Sequence, residues 1–279
     1  MSDVLTINSD RKMPLGTWVW QVSSHLEDLD RLLSFFKINN VTEAYYSVNN
    51  DVSDDEYAAL IEQTAAVGVR SAALSGDAYW ILPEYKSYYE SFLDRTEQIN
   101  RMCKGDARFY SIHMDVEPHV LPQAKENGLS EYIPGFVELI EDARKRADRM
   151  GLLLEWDIPA WICMHSDRKN DCSITETVFR YCDAVSIMAY RDFAQGQISI
   201  TIPNIEFAQK YDRPLIVGCE TIQLEEGLRP DGNCSITYFE EGREYMYHEL
   251  AIVKNELLKE YDNIGFAIHS AEGWMALKD

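Results

Sequence analysis

Short apolar runs alternate with amphipathic stretches along the whole chain. Eight of the runs read as strands: GTWVWQ (16–21), VTEAYYSVN (41–49), VRSAALSGD (69–77), FYSIHMDVEP (109–118), LLLEWDIPAW (152–161), AVSIMAYRD (184–192), PLIVGCETI (214–222) and IGFAIHSAEGW (264–274). Between them the period changes from two to three and four. Residues 24–40 repeat Leu26, Leu29, Leu33 and Phe36 on one helical stripe. Residues 53–68 open on Ser53 with Glu56 three positions on, a capping box, and stop at Gly68. Residues 131–151 behave alike and stop at Gly151, and 237–261 form a long amphipathic stretch. Shorter helices are expected near 175–182 and 203–211.

A strand followed by a helix, repeated eight times, predicts a parallel sheet closed on itself. A (β/α)8 TIM barrel takes about 250 residues as one domain, so the 279 residues are expected to form a single domain over 1–279. An open doubly wound sheet is the alternative, but no glycine-rich phosphate fingerprint follows the first strand.

Composition narrows the function more than the fold. The chain is 46% hydrophobic and 11% aromatic, with no apolar run of the roughly 20 residues a membrane helix needs. Its polar start, MSDVLTINSDRKM, lacks the apolar centre of a signal peptide. A cytoplasmic location is expected, or an extracellular one if the sequence is trimmed from a secreted protein. The six cysteines form no CxxC pair. Scattered free thiols are expected, with a Cys163–Cys172 loop disulfide as the alternative in a secreted protein. The net charge of −21 excludes nucleic acid and anionic membranes, which select basic surfaces. A neutral sugar is compatible with it.

The densest chemistry lies in FYSIHMDVEPH, which places His113, Asp115, Glu117 and His119 at alternate positions, and hence on one face of a strand. Burying adjacent carboxylates is costly, so chemistry or an ion must compensate. Four ligands along one strand span roughly 20 Å and cannot share one ion, so no metal and no cofactor is expected. In a barrel, catalytic groups sit at the C-terminal strand ends. Those ends carry Trp18, Trp20, Asn49, Asp77, Trp80, His113, Asp115, Glu117, Asp157, Trp161, Tyr190, Arg191, Asp192, Glu220, His269 and Trp274. Aromatic faces stack on sugar rings, and paired carboxylates carry out glycosidic acid–base chemistry. Simpler roles stand beside these: His113 as a satisfied core histidine, Asp77 and Asp192 as helix caps, and the tryptophans as packing.

YSIHMDVE resembles the strand-four motif DGxDxDxE of chitinase-type glycoside hydrolases, with Glu117 on the acid and Asp115 on its neighbour. MAYRD is similar to that family's strand-six segment, with Tyr190 on its tyrosine, and Trp274 matches a strand-eight pocket-floor tryptophan. Tyr110, Ser111 and His113 depart from the family's Asp, Gly and Asp. A second likeness is to clan-A retaining glycosidases, where a Glu-Pro pair ends strand four and another Glu ends strand seven. Glu117-Pro118 and Glu220 occupy those places, with Val116 where that clan has Asn. Over nearly its full length the chain resembles a poorly characterised bacterial group of predicted barrel glycosidases.

Both resemblances imply a carbohydrate substrate, cleavage with retention, and Glu117 as general acid. The clan-A likeness implies Glu220 as nucleophile, and it is favoured here because much of the chitinase motif is lost. The chitinase likeness implies attack by the substrate's own N-acetyl oxygen, held by Asp115 and Tyr190. In either case Asp115 is expected to raise the pKa of Glu117 by like charge. A barrel that binds sugar without cleaving it is the third alternative.

Overall fold

All eight apolar runs become strands in the computed structural model of the chain, which describes residues 13–224 and 235–279. They are β1 (Leu15–Val19), β2 (Glu43–Ser47), β3 (Arg70–Ser75), β4 (Phe109–Met114), β5 (Leu153–Pro159), β6 (Ala184–Met188), β7 (Leu215–Glu220) and β8 (Ile264–His269). Each pairs in parallel with the next, and Leu15 of β1 registers with Phe266 of β8 to close the barrel. Alternate side chains face the helices and form the main core: Ile112 and Met114 of β4, and Leu154, Trp156 and Ile158 of β5, are all buried. A layer buried on both faces explains why these strands read as nearly continuous apolar runs.

Several boundaries move for identifiable reasons. The strand expected over 109–118 ends at Met114, so Asp115 and Glu117 leave the ladder. Asp115 still donates its N–H to Ser75 O at 3.1 Å, but Pro118 has no N–H and opens a 3-10 turn over Pro118–Val120. The stretch 24–40 breaks into Val22–Leu26 and Leu29–Ile38, because the Asp28 side chain accepts from Arg31 N and starts a second helix. The Ser53–Glu56 capping box forms reciprocally around the helix Asp54–Ala66. The helix expected near 203 begins earlier, at Ala194, whose N–H is accepted by Glu249, and it carries Pro203 inside. The expected 237–261 helix shortens to Arg243–Leu257.

One long helix escapes the hydrophobic pattern, beside the short helices Pro122–Asn127 and Ala271–Ala276. Lys86–Met102 links β3 to β4 and buries Tyr89, Phe92, Leu93, Thr96 and Ile99. Its many polar residues mask that stripe. Cys103, Cys163, Cys172, Cys182 and Cys219 are all free thiols, so Cys163 and Cys172 form no bridge, while Cys234 lies outside the described residues. Among the described residues no helix is long and apolar enough to cross a membrane.

Candidate active site

The inside of the barrel is polar through much of its depth. Near the floor Glu43 of β2 pairs with Arg70 of β3, and Tyr110 and Ser111 both donate to Glu155 of β5, at 2.9 and 3.0 Å. Successive residues of one strand normally point to opposite faces. Here the register between β3 and β4 shifts at Ser71/Ala72, and Tyr110 also lies beneath the Arg70 guanidinium at 4.1 Å. Above this layer His113 is 1% exposed and stacks on Tyr45 at 4.0 Å. Its Nδ1 faces Glu155 Oε2 at 3.0 Å, and its Nε2 faces both oxygens of Asp157 at 2.8 Å. Two nitrogens against two carboxylates require two protons, so His113 is an imidazolium. Burial opposes that charge, but Asp157 and Glu155 outweigh it and raise its pKa to about 10. Trp18 completes the layer by donating Nε1–H to Asp157 Oδ2 at 2.8 Å.

Asp115 and Glu117 stand above this layer at the mouth, both half-buried. Burial and then the charges of Asp157 and Glu117 raise the Asp115 pKa to about 8. Its Oδ1 is buried without a hydrogen-bond partner. Glu117 is also raised, by burial and then by Asp157. The expected direction of influence is therefore partly reversed: the carboxylate of β5 acts on Glu117, and Glu117 acts on Asp115. Tyr190 joins them from the end of β6, its phenol raised by burial and then by the charges of Glu220, Asp115, Asp157 and Glu117. His119 sits in the turn after Glu117 rather than on the strand, with Nε2 at 3.7 Å from Glu117 Oε1.

On the opposite wall Glu220 ends β7 and is 5% exposed. Its Oε1 accepts from Thr221 N at 2.8 Å and Ile222 N at 2.9 Å, and its Oε2 faces His269 Nδ1 at 2.9 Å. Trp20 donates Nε1–H to His269 Nε2 at 2.8 Å. That indole requires a lone pair on Nε2, which assigns the proton to Nδ1 in the neutral ring. Burial works against protonation of His269, but Glu220, through its hydrogen bond and charge, raises the pKa overall. The Tyr190 ring lies 6.1 Å from that of His269. Asn49 supports the wall by donating to Trp20 O, and Glu272 accepts from the N–H groups of Trp20 and Gln21.

The remaining expected residues fall elsewhere. Trp274 is wholly buried between Phe35 and Tyr247, with its indole N–H on Tyr247 Oη, so it is not a pocket floor; Trp18 occupies the barrel interior instead. Trp80 is 8% exposed and packs on Phe92 and Tyr89. Asp77 is exposed and caps a 3-10 turn through Tyr79 N at 2.9 Å. Arg191 folds back to donate to Tyr190 O, and Asp192 is buried, with its N–H on Ser235 O. Trp161 is exposed on the rim, edge-on to His119 at 4.7 Å. Sequence reasoning missed Glu43, Tyr45, Tyr110, Glu155 and Glu272. The alternation of Glu155 with Asp157 through buried Leu154, Trp156 and Ile158 was the available signal for Glu155. Among the described residues no group of three or more His, Cys, Asp and Glu has the geometry to hold a metal ion.

No family model matches the chain, and no curated protein does. Solved structures share its fold. The spore cortex-lytic enzyme SleL of Bacillus megaterium superposes with a TM-score of 0.55 at 13% identity, over 94% of this chain and 72% of that one. A glycoside hydrolase family 18 N-acetylglucosaminidase from Paenibacillus barengoltzii gives 0.54 at 12% identity, over 92% and 94%. A family 18 chitinase from Cycas revoluta, solved with (GlcNAc)3, gives 0.52 at 13% identity, over 93% and 95%. The likeness is one of fold, a (β/α)8 barrel of the kind these glycosidases use.

Proposed function

We propose that this barrel hydrolyses a glycosidic bond with retention, with Glu117 as general acid and then general base. The observation that carries the reading is the Asp115–Glu117 pair: two half-buried carboxyl groups at the barrel mouth, both raised, over a buried layer that is fully paired. A group that must donate a proton near neutrality needs such a setting. The fold shared with family 18 enzymes supports the same class. Fold alone does not assign activity, so the residues carry the argument.

Between the two nucleophiles, geometry favours substrate assistance. Both oxygens of Glu220 are engaged, by two backbone N–H groups and His269, and it reads as the anchor of that ring. Asp115 instead keeps a buried oxygen without a partner beside Tyr190, where it suits an acetamido N–H. The proposed substrate is therefore an N-acetylated sugar. Glu117 protonates the leaving oxygen while the acetamido oxygen attacks the anomeric carbon. Asp115 accepts the N–H and Tyr190 orients the group. Glu117 then takes a proton from the water that opens the cyclic intermediate.

The test is hydrolysis of aryl N-acetylglucosaminides and oligomers, with the product anomer followed by proton NMR. The β-configuration, which sets the leaving group trans to the attacking acetamido group, should be retained, and Glu117→Gln should be inactive while folding normally. An inverted product, or an active Glu117→Gln protein, refutes the reading.

A further inference from the structure

Beside the mouth, a cavity of about 450 Å³ opens between the ends of β2 and β3 and the helix Lys86–Met102. This lies within the roughly 300–1,000 Å³ typical of small-molecule sites. Its wall is aromatic in a particular order. The ring of Tyr79 lies 4.9 Å from that of Tyr85, which lies 6.2 Å from that of Tyr88, nearly parallel to it. Tyr88 is 65% exposed. Trp80, from the same turn, is turned inward and closes the back of the cavity.

The cavity adjoins the candidate active site through the backbone. Gly76 lines it, and a Cβ there would overlap the Asp115 carbonyl, so the cavity wall and the carboxylate strand touch without an intervening side chain. Asp115 N–H also donates to Ser75 O, and Ser75 lines the cavity as well. Its one cation, Arg95, is held by Asp54 at 2.8 Å and by Asn49 O at 2.7 Å. The remaining polar groups are neutral apart from Asp77. Tyrosines combine a flat apolar face with a polar edge. They match the CH faces and hydroxyl rim of an uncharged pyranose, and Asp77 disfavours an anionic one.

Resting on the glycosidase reading above, we propose that this tyrosine-walled cavity is a further carbohydrate subsite, which binds neutral sugar units of an oligosaccharide whose scissile bond lies at Glu117. The chain then selects oligomers over single glycosides, and the selection resides in Tyr79, Tyr85 and Tyr88 rather than in a tryptophan.

The experiment uses calorimetric binding of an N-acetylglucosamine dimer-to-hexamer series and its cellulose-derived counterpart to the full chain carrying Glu117→Gln. In one series affinity should rise with length. Tyr88→Ala should weaken the longest oligomer about tenfold and leave the dimer within about twofold. Ser91→Trp, which fills the cavity from its exposed helical edge, should do the same without removing a packed ring. In the otherwise wild-type enzyme both changes should raise KM for long oligomers and spare an aryl monosaccharide. Length-dependent binding that these variants abolish supports the subsite even if nothing is hydrolysed, so the two proposals fail separately. Binding that ignores length, variants that bind every length like the parent, or no binding by either series overturns it.

Discussion

Two layers of the barrel interior use the same side chains to opposite ends. In the lower one, Glu155 and Asp157 are buried and every charge is met, by His113, Tyr110, Ser111 and Trp18. In the upper one, Asp115 and Glu117 are half-buried, raised, and incompletely paired. The pKa of His113 is raised in the lower layer, which favours its cation, and those of Asp115 and Glu117 are raised in the upper, which favours their neutral forms. A buried ion pair is held together mainly by the cost of breaking it, since removing one partner strands the other in low dielectric. An unpaired carboxyl at a mouth instead prefers its neutral form and can give the proton up as solvent or substrate arrives. The His113 ring lies between Asp157 and Glu155, so the lower layer pairs its own carboxylates beneath Asp115 and Glu117.

The largest expected effect tests the upper layer. Glu117→Gln should lower kcat/KM by about 10²–10⁴ while thermal unfolding followed by circular dichroism stays unchanged. His113→Leu tests the lower layer: it strands Glu155 and Asp157 and should cost about 3–5 kcal/mol in urea unfolding. If that variant is as stable as wild type, the lower layer is not a charge cluster and the contrast collapses.

The two layers also differ in their response to pH. Asp115 goes from an ordinary 3.8 to about 8 on folding, so the native state binds its proton more tightly than the unfolded chain does. Its contribution is fully present below about 4 and is lost as pH rises towards 8. Asp115→Asn should therefore gain stability relative to wild type across that window, with a constant difference above it. A flat difference would show that Asp115 does not bind its proton more tightly in the folded state than in the unfolded one.

Glu220→Gln discriminates within the upper layer. If Glu220 anchors His269, hydrolysis of an N-acetylated substrate should fall less than about tenfold, far less than in Glu117→Gln. A comparable loss would restore Glu220 as nucleophile. The smallest effect is expected at Asp77→Ala, which removes the cap on Tyr79 N and should cost about 1 kcal/mol of stability without altering cleavage of an aryl monosaccharide.

The sequence by itself determined the barrel. Period two in the strands and three-and-four in most helices report which faces are apolar, and eight repeats of that alternation leave few topologies open. It also placed Asp115, Glu117, Tyr190 and Glu220 among the strand-end residues, because local alternation and strand-end position are one-dimensional properties; the likeness to glycosidase motifs is what set these four apart. What it could not decide was depth and partnership. Trp274 and Trp18 are alike as letters, yet one packs among outer helices and the other donates to Asp157 inside the barrel. His113 becomes a cation only because β5 brings Glu155 and Asp157 across from it, through a register set by strands 40 residues apart or more. Glu220 meets His269 because β8 lies beside β7. The charge of a side chain follows from what surrounds it, and in a closed barrel those surroundings come from neighbouring strands that are remote along the chain.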